Sequence, residues 1–284
     1  MGRLKSKVAL ITGGTQGVGE GIALVFAKEG AGVAINGRSA GKGVRALEKL
    51  RAVTDEARFF RADVSIKHEA QELVSRTVEA FGRIDVLVNN AMVIDGWKRA
   101  EDDSIDAALE RSLRSCVYAS LWLSQAAFPY MRDQGGGCII NFGSTGAIFG
   151  NSYQTHYSTA KEAIHGLTRT LAQEWGRHNV TVNTLMPAAT TAGIIRMQEA
   201  YAEHSRLEEF HEQALNFERT RNLHPLMVPR AEIGVAPAAV GLASDSGQFI
   251  TGQTIFVDGG IHLWGPNQHA MLPGVEYQLS SQTG

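Results

Sequence analysis

Near its start the chain runs Val8-Ala9-Leu10-Ile11 without a polar residue and then breaks into Thr12-Gly13-Gly14-Thr15-Gln16-Gly17-Val18-Gly19. It resumes as Ile22-Ala23-Leu24-Val25-Phe26-Ala27, with apolar residues at helical spacing. A buried strand, a glycine turn and a helix in direct succession confine the fold to the α/β class. Glycines alone also mark ordinary tight turns. Between a strand and a helix they let the backbone approach a pyrophosphate, and the helix start offers unpaired N–H groups and the positive end of its dipole.

The rest of the chain repeats this alternation. Strand-like apolar runs recur at 7–12, 32–36, 57–61, 84–89, 137–142, 179–185 and 253–257. Helical stretches fall near 17–30, 41–53, 67–82, 104–132, 154–177 and 231–243. Strands separated by helices predict a parallel sheet with helices on both faces. The unbroken apolar run Val86-Leu87-Val88 suits strands buried on both sides. No repeat or low-complexity linker interrupts the pattern, so 284 residues are read as one domain.

A second constellation lies further on. Tyr157 and Lys161 are four residues apart, on one face of a predicted helix, and Ser144 stands thirteen residues before the tyrosine at the end of Gly137-Cys138-Ile139-Ile140-Asn141-Phe142. An ammonium beside a phenol favours the phenolate and suits the phenol to acid or base work near neutral pH. A serine hydroxyl facing it holds a carbonyl or alcohol oxygen by a hydrogen bond.

These motifs stand in order with Asp63-Val64, Asn89-Asn90-Ala91, Asn183, Pro187, Thr251-Gly252-Gln253 and Val257-Asp258-Gly259-Gly260. Over about residues 5–260 the chain resembles the short-chain dehydrogenase/reductase family. The resemblance implies a Rossmann-type, doubly wound fold in a single domain. The sheet is expected to be seven-stranded and parallel, flanked by helices. It also implies hydride transfer between a nicotinamide cofactor and an alcohol or carbonyl. Ser144, Tyr157 and Lys161 then become the catalytic residues, with Tyr157 as proton donor or acceptor, Lys161 also on the nicotinamide ribose and Ser144 on the substrate oxygen. Gly13, Thr15, Gln16, Gly17, Val18 and Gly19 would cradle the pyrophosphate. Asp63 and Val64 would border the adenine, and Asn90 and Ala91 the ribose and nicotinamide. Pro187 and Thr190 complete the cofactor side, with Thr190 or Thr191 on the carboxamide. A homotetramer or homodimer, built through the helices near 104–132 and 154–177, is expected. Ala119, Leu121, Trp122, Leu123 and Ala126 leave the first of these apolar nearly all round.

Cofactor choice is read from the end of the second strand, where Val33-Ala34-Ile35-Asn36 leads into Gly37-Arg38-Ser39. An acidic residue there would accept from a ribose 2′-OH. Glycine takes its place and Arg38 follows, so NADP(H) is favoured over NAD(H) through a guanidinium–phosphate contact. Thr15 and Gln16 supply no second cation within the glycine turn.

Three positions depart from the family pattern. The asparagine expected in the 104–132 helix is absent, and either Cys116 or Ser112 takes its place, the second with an extra helical turn. Met92 stands where glycine is usual and is expected to narrow the nicotinamide pocket. Ala188-Ala189-Thr190-Thr191 follows Pro187 without the usual glycine. These departures keep two other readings open: a non-catalytic dinucleotide-binding redox sensor or regulator, and an epimerase of the same family.

Residues 190–226 form an amphipathic insertion with Tyr201, Phe210 and Phe217, placed where a substrate lid would sit, and residues 261–284 extend beyond the family's end. Together with Thr145, Phe149 and Tyr153, the insertion would frame a mid-sized, partly apolar substrate. His156 is expected to face substrate or solvent. Glu174 and His178 would form a surface pair. No catalytic metal is expected, because His204, His211 and His224 lack ligand spacing with a carboxylate.

Lys+Arg 27 against Asp+Glu 29 gives a net charge of −2, which provides no basic footprint for nucleic acid or membrane. No apolar run approaches the ~18 residues of a membrane span. The apolar run after the cationic start is cut short by Thr12-Gly13-Gly14 and doubles as strand one, so it is not read as a signal sequence. The myristoylation-like Met1-Gly2-Arg3-Leu4-Lys5-Ser6 reads as a leader to that strand. Asn179-Val180-Thr181 matches a glycosylation acceptor but is placed in a buried strand. Two cysteines in apolar surroundings, Cys116 and Cys138, indicate buried thiols and a cytoplasmic protein.

Overall fold

The computed structural model describes residues 2–96, 98–188 and 231–263. The expected lid at 190–226, with Thr190 and Thr191, and the extension beyond residue 263 lie outside the described residues. Seven strands form: β1 Val8–Ile11, β2 Gly32–Gly37, β3 Ala57–Arg61, β4 Val86–Asn89, β5 Gly137–Phe142, β6 Val180–Pro187 and β7 Thr254–Val257. The helices that alternate with them are α1 Gly17–Lys28, α2 Ala40–Arg51, α3 Lys67–Phe81, α4 Ile105–Ser112, α5 Ala119–Asp133, α6 Thr145–Ile148, α7 Thr155–Trp175, α8 Ala231–Gly234 and α9 Ala236–Ala243. Among the described residues no helix is long and apolar enough to cross a membrane.

All strand pairs are parallel, in the order β3-β2-β1-β4-β5-β6-β7. The expected Rossmann-type sheet is therefore present. Its order reverses between β1 and β4, so the connections leaving these strands part and open a crevice at their carboxyl ends. Side-chain alternation divides the core in two. Ala9 and Ile11 face Ile22 and Phe26 of α1 and Val240 of α9. Leu10 faces the opposite way, with Leu73 of α3, Leu123 of α5 and Leu171 of α7.

One expected helix is interrupted. Between α4 and α5, Leu113–Tyr118 winds as a π-helix, a wide turn that takes up surplus residues without breaking the helix. The glycosylation-like triplet also differs from expectation. Asn179 is exposed ahead of β6, in a left-handed turn with φ 58°.

A polar ladder crosses the apolar core just below the crevice. Asn89 Nδ2 of β4 donates to Asn141 Oδ1 of β5 at 2.9 Å and to Ser124 Oγ of α5 at 3.3 Å. Asn141 Nδ2 donates to Thr168 Oγ1 of α7 at 2.9 Å, and Thr168 Oγ1 bonds Thr184 Oγ1 of β6 at 2.8 Å. All five side chains are buried.

Candidate active site

The glycine turn lies at the switch point. Gly13 and Gly17 hold φ of 65° and 60°, values that favour glycine. A Cβ on Gly19 would approach the Gly13 carbonyl to 2.5 Å, and one on Gly13 would approach Asn90 Nδ2 to 2.8 Å. Buried Thr12 joins the ends of β1 and β4. Its Oγ1 donates to Val88 O at 3.2 Å and accepts from the N–H groups of Asn90 and Ala91 at 3.0 and 3.1 Å. Asn90 Nδ2 donates to the carbonyls of Thr12 and Gly13 at 2.9 and 3.3 Å. No side chain caps α1, so its first N–H groups are available to an anion. A crowded glycine turn before an uncapped helix start fits the pyrophosphate of a dinucleotide.

At the end of β2, a Cβ on Gly37 would meet Thr15 Cγ2 at 2.8 Å, so the approach of the glycine turn accounts for glycine here. Exposed Arg38 has Nη1 3.8 Å from Asp63 Oδ2. Asp63 Oδ1 accepts from the N–H and Oγ of Ser65 at 3.0 and 2.7 Å. Val64 is buried in the core beside Leu10 and Ala34, which leaves only its backbone for a bound group. The turn itself holds no cation, but α2 brings one to it. Lys42 Nζ donates to Gln16 Oε1 at 2.8 Å. Lys42 is not legible from the turn alone; its signal is its place in the first turn of α2.

Ser144 follows β5 in extended backbone and sits at the N-cap of α6, which packs against α7. Tyr157 and Lys161 lie on successive turns of α7. Lys161 is buried. Its Nζ donates to Phe142 O at 2.8 Å and lies 5.9 Å from the centre of the Tyr157 ring. One ammonium thus ties the helix of the tyrosine to the strand that carries the serine. Gly143, between Phe142 and Ser144, is closely wedged: a Cβ there would meet Met186 Sδ at 2.1 Å and the His165 ring at 3.2 Å. Pro187 ends β6, where the Ala188 N–H donates to Val257 O at 3.0 Å.

The family model for short chain dehydrogenases matches residues 7–202. The chain belongs to the short-chain dehydrogenase/reductase family. It is 32% identical to a 12alpha-hydroxysteroid dehydrogenase of a Clostridium species, over 92% of this chain and 98% of that one. It is 31% identical to a 3-oxoacyl-acyl-carrier-protein reductase of Thermotoga maritima, over 91% and 99%. Among solved structures, a short-chain dehydrogenase/reductase from Burkholderia xenovorans is similar with a TM-score of 0.82 and 30% identity, over 93% of this chain and 99% of that one. Enzymes of this family are oxidoreductases of CH–OH or carbonyl groups that use NAD(P)(H).

Two departures from the short-chain dehydrogenase/reductase pattern meet in one place. Cys116, on the π-helical segment, has Sγ 4.0 Å from Ala160 O, next to Lys161. Ser112 is buried one turn earlier, its Oγ without a hydrogen-bond partner. Met92 packs with Leu113 and Val117 against Cys116, Ala160 and Ile164. Partly buried Met92 thus packs against the seam between the π-helical segment and α7. Burial raises the thiol pKa of Cys116, and raises that of Cys138 to about 11, so neither suits nucleophilic work.

The substrate-side loops also differ from expectation. Tyr153, one turn before Tyr157, holds φ 63°, a strain on the order of 1–3 kcal/mol for a bulky residue. The Lys98 N–H donates to its carbonyl at 2.9 Å, and the Arg99 guanidinium lies 5.3 Å from the ring centre. A strap from the β4–α4 loop therefore holds the start of α7. His156 does not face solvent. It is 2% exposed, and its Nδ1 has no partner. Glu174 and His178 do not pair; His178 instead accepts from Arg177 Nε at 3.1 Å and lies edge-on to Phe128.

Proposed function

We propose that this chain interconverts an alcohol and a ketone or aldehyde with NADP(H), using Ser144, Tyr157 and Lys161. The observation that carries this reading is the Lys161–Phe142 bond, which fixes Tyr157 against the strand end bearing Ser144. Bound dinucleotide would supply or accept the hydride. The Gly13–Gly19 turn and the first N–H groups of α1 would hold its pyrophosphate. Asp63 and the Val64 backbone would border the adenine, and Ala91, Pro187 and Thr190 the nicotinamide side. Arg38 and Lys42, two cations flanking the glycine turn, favour a 2′-phosphate over a bare ribose hydroxyl.

At the other end, Ser144 Oγ–H would hold the substrate oxygen and meet the negative charge that grows there. Tyr157 would donate its proton to that oxygen in reduction and remove one in oxidation. Lys161, as an ammonium beside the ring, would support the phenolate left by donation. The rival reading, a non-catalytic dinucleotide sensor, is less favoured because Ser144, Tyr157 and Lys161 are all present. The assembly is proposed as a homodimer or homotetramer through α4–α5 and α7, where exposed Tyr118 stacks on Trp122 at 5.7 Å. A monomer mass by light scattering would sink that part.

The test of function is a fluorescence titration with NADPH and NADH. Wild type should bind NADPH more tightly, and Arg38→Ala and Lys42→Ala should each weaken NADPH on the order of tenfold, about 1.4 kcal/mol, while sparing NADH. Tyr157→Phe should bind NADPH normally and lose nearly all turnover on a ketone panel. A wild-type preference for NADH would reverse the cofactor choice, and an active Tyr157→Phe would overturn the catalytic assignment.

A further inference from the structure

Lys161 has two unlike flanks. On one side of α7, Cys116, Ala160 and Ile164 are buried together beneath Met92, Leu113, Val117 and Leu167. At 100° per residue, Ser158, Glu162 and His165 fall on the opposite flank of the helix. Two polar atoms on that flank are buried and make no hydrogen bond, Ser158 Oγ and His165 Nε2. The His165 ring is 7% exposed, and its Nδ1 is engaged by Thr254 Oγ1 of β7 at 2.9 Å. Its Nε2 lies 3.8 Å from Glu162 Oε1, on a side chain that is 47% exposed. A buried ammonium, a buried imidazole nitrogen, a buried hydroxyl and a solvent-facing carboxylate thus occupy successive turns of one helix.

Protein interiors pair nearly all buried polar atoms, using ordered water where protein groups do not serve. We propose that water held at Ser158 Oγ and at His165 Nε2 links Lys161 to solvent at Glu162, so that protons turned over at Tyr157 are exchanged along this flank. The proposal rests on the reading of Tyr157 and Lys161 given above. In reduction, Tyr157 Oη gives one proton to the substrate oxygen and regains one from Lys161. His165 first takes a proton from solvent at Glu162, and the imidazolium so formed passes it through the held water to Lys161. One proton enters per turnover, the electrons travel only with the hydride, and oxidation runs the sequence backwards.

The imidazole suits this part. Burial lowers its pKa first of all; Glu162 opposes this, and Arg169 and Lys161 reinforce it, so the ring is neutral and able to accept near pH 7. Those three charged groups all stand on α7. From the sheet side the ring meets Gly143 and Thr254, which are neutral.

His165→Gln keeps an amide toward Thr254 and removes the titrating group. With NADPH and a turned-over ketone it should lower kcat by about tenfold or more, enlarge the solvent deuterium isotope effect on kcat and displace the acid limb of the pH profile. KM and NADPH affinity should stay unchanged. Glu162→Gln should act in the same direction but less, and Cys116→Ala should keep the wild-type isotope effect. A His165→Gln enzyme with wild-type isotope effect and pH profile overturns the proposal, even if its stability drops. A readout independent of turnover is the imidazole NMR spectrum of histidine-labelled wild type, where His165 Nε2 should show magnetisation transfer from water. Absence of that transfer also overturns the proposal. Its presence in a protein that reduces no ketone would overturn the redox reading alone.

Discussion

A single amide, that of Asn90, spans the two strand ends between which the crevice opens. Its two donors are spent on the Thr12 and Gly13 carbonyls, and the glycine turn closes against it. Asn90→Ala should therefore cost about 1–3 kcal/mol by leaving carbonyls unanswered. It should also weaken NADPH binding, because the turn loses its brace. Chemical denaturation and a fluorescence titration check the two effects together, and wild-type values in both would show that the amide does not shape the turn. The sequence marks Asn90 as a lining residue, but its bracing role depends on Thr12, 78 residues away, and is not legible locally. Lys42 is similar. It becomes a cation of the glycine turn only because α2 lays it against Gln16.

At the scale of elements, the π-helical segment and Met92 form one packing unit. Met92→Gly would leave a void in the seam, and Cys116→Asn would press an amide into it; each change should destabilise by about 1–3 kcal/mol. Made together, the amide gains the room the methionine vacated, so the double-mutant cycle should show a favourable coupling of at least about 0.5 kcal/mol. Simple additivity would separate the two departures. Apolar periodicity located the helix across 104–132, but six residues of wider winding shift a side chain's direction without altering the run of apolar letters. Cys116 and Ser112 are therefore indistinguishable in sequence, and the packing of Met92 against this segment is not legible there. The seven strands were legible because each holds a short apolar stretch between helical segments, even where polar residues such as Arg58 in β3 or Asn183 in β6 interrupt it.

Across the whole molecule, alternation of strands and helices predicts a parallel sheet, whereas the reversal at β1 and β4 is settled by pairings between distant segments. Buried histidines give the molecule an acid sensitivity. Burial foremost lowers the pKa of His156 and of His165; Asp95 and the Gly96 carbonyl oppose this at His156, where Lys98 and Arg111 reinforce it. The unfolded chain then binds protons first, below about pH 6.5. Stability is full above that value and declines as pH falls from it toward the depressed folded values. Urea midpoints measured between about pH 7.5 and 5.5 should fall with pH, and His156→Gln should flatten part of the slope. A midpoint that rises on acidification would contradict this.

The ladder of Asn89, Asn141, Ser124, Thr168 and Thr184 works like the cuts on a key. Sliding β4 past β5 by one residue would turn Asn89 to the wrong face, away from Asn141 and from the Ser124 hydroxyl that α5 brings to it. Each dry, unanswered amide costs about 1–3 kcal/mol. A misregistered sheet would thus be refused when those helices dock, and the crevice above could open only on strands already in step.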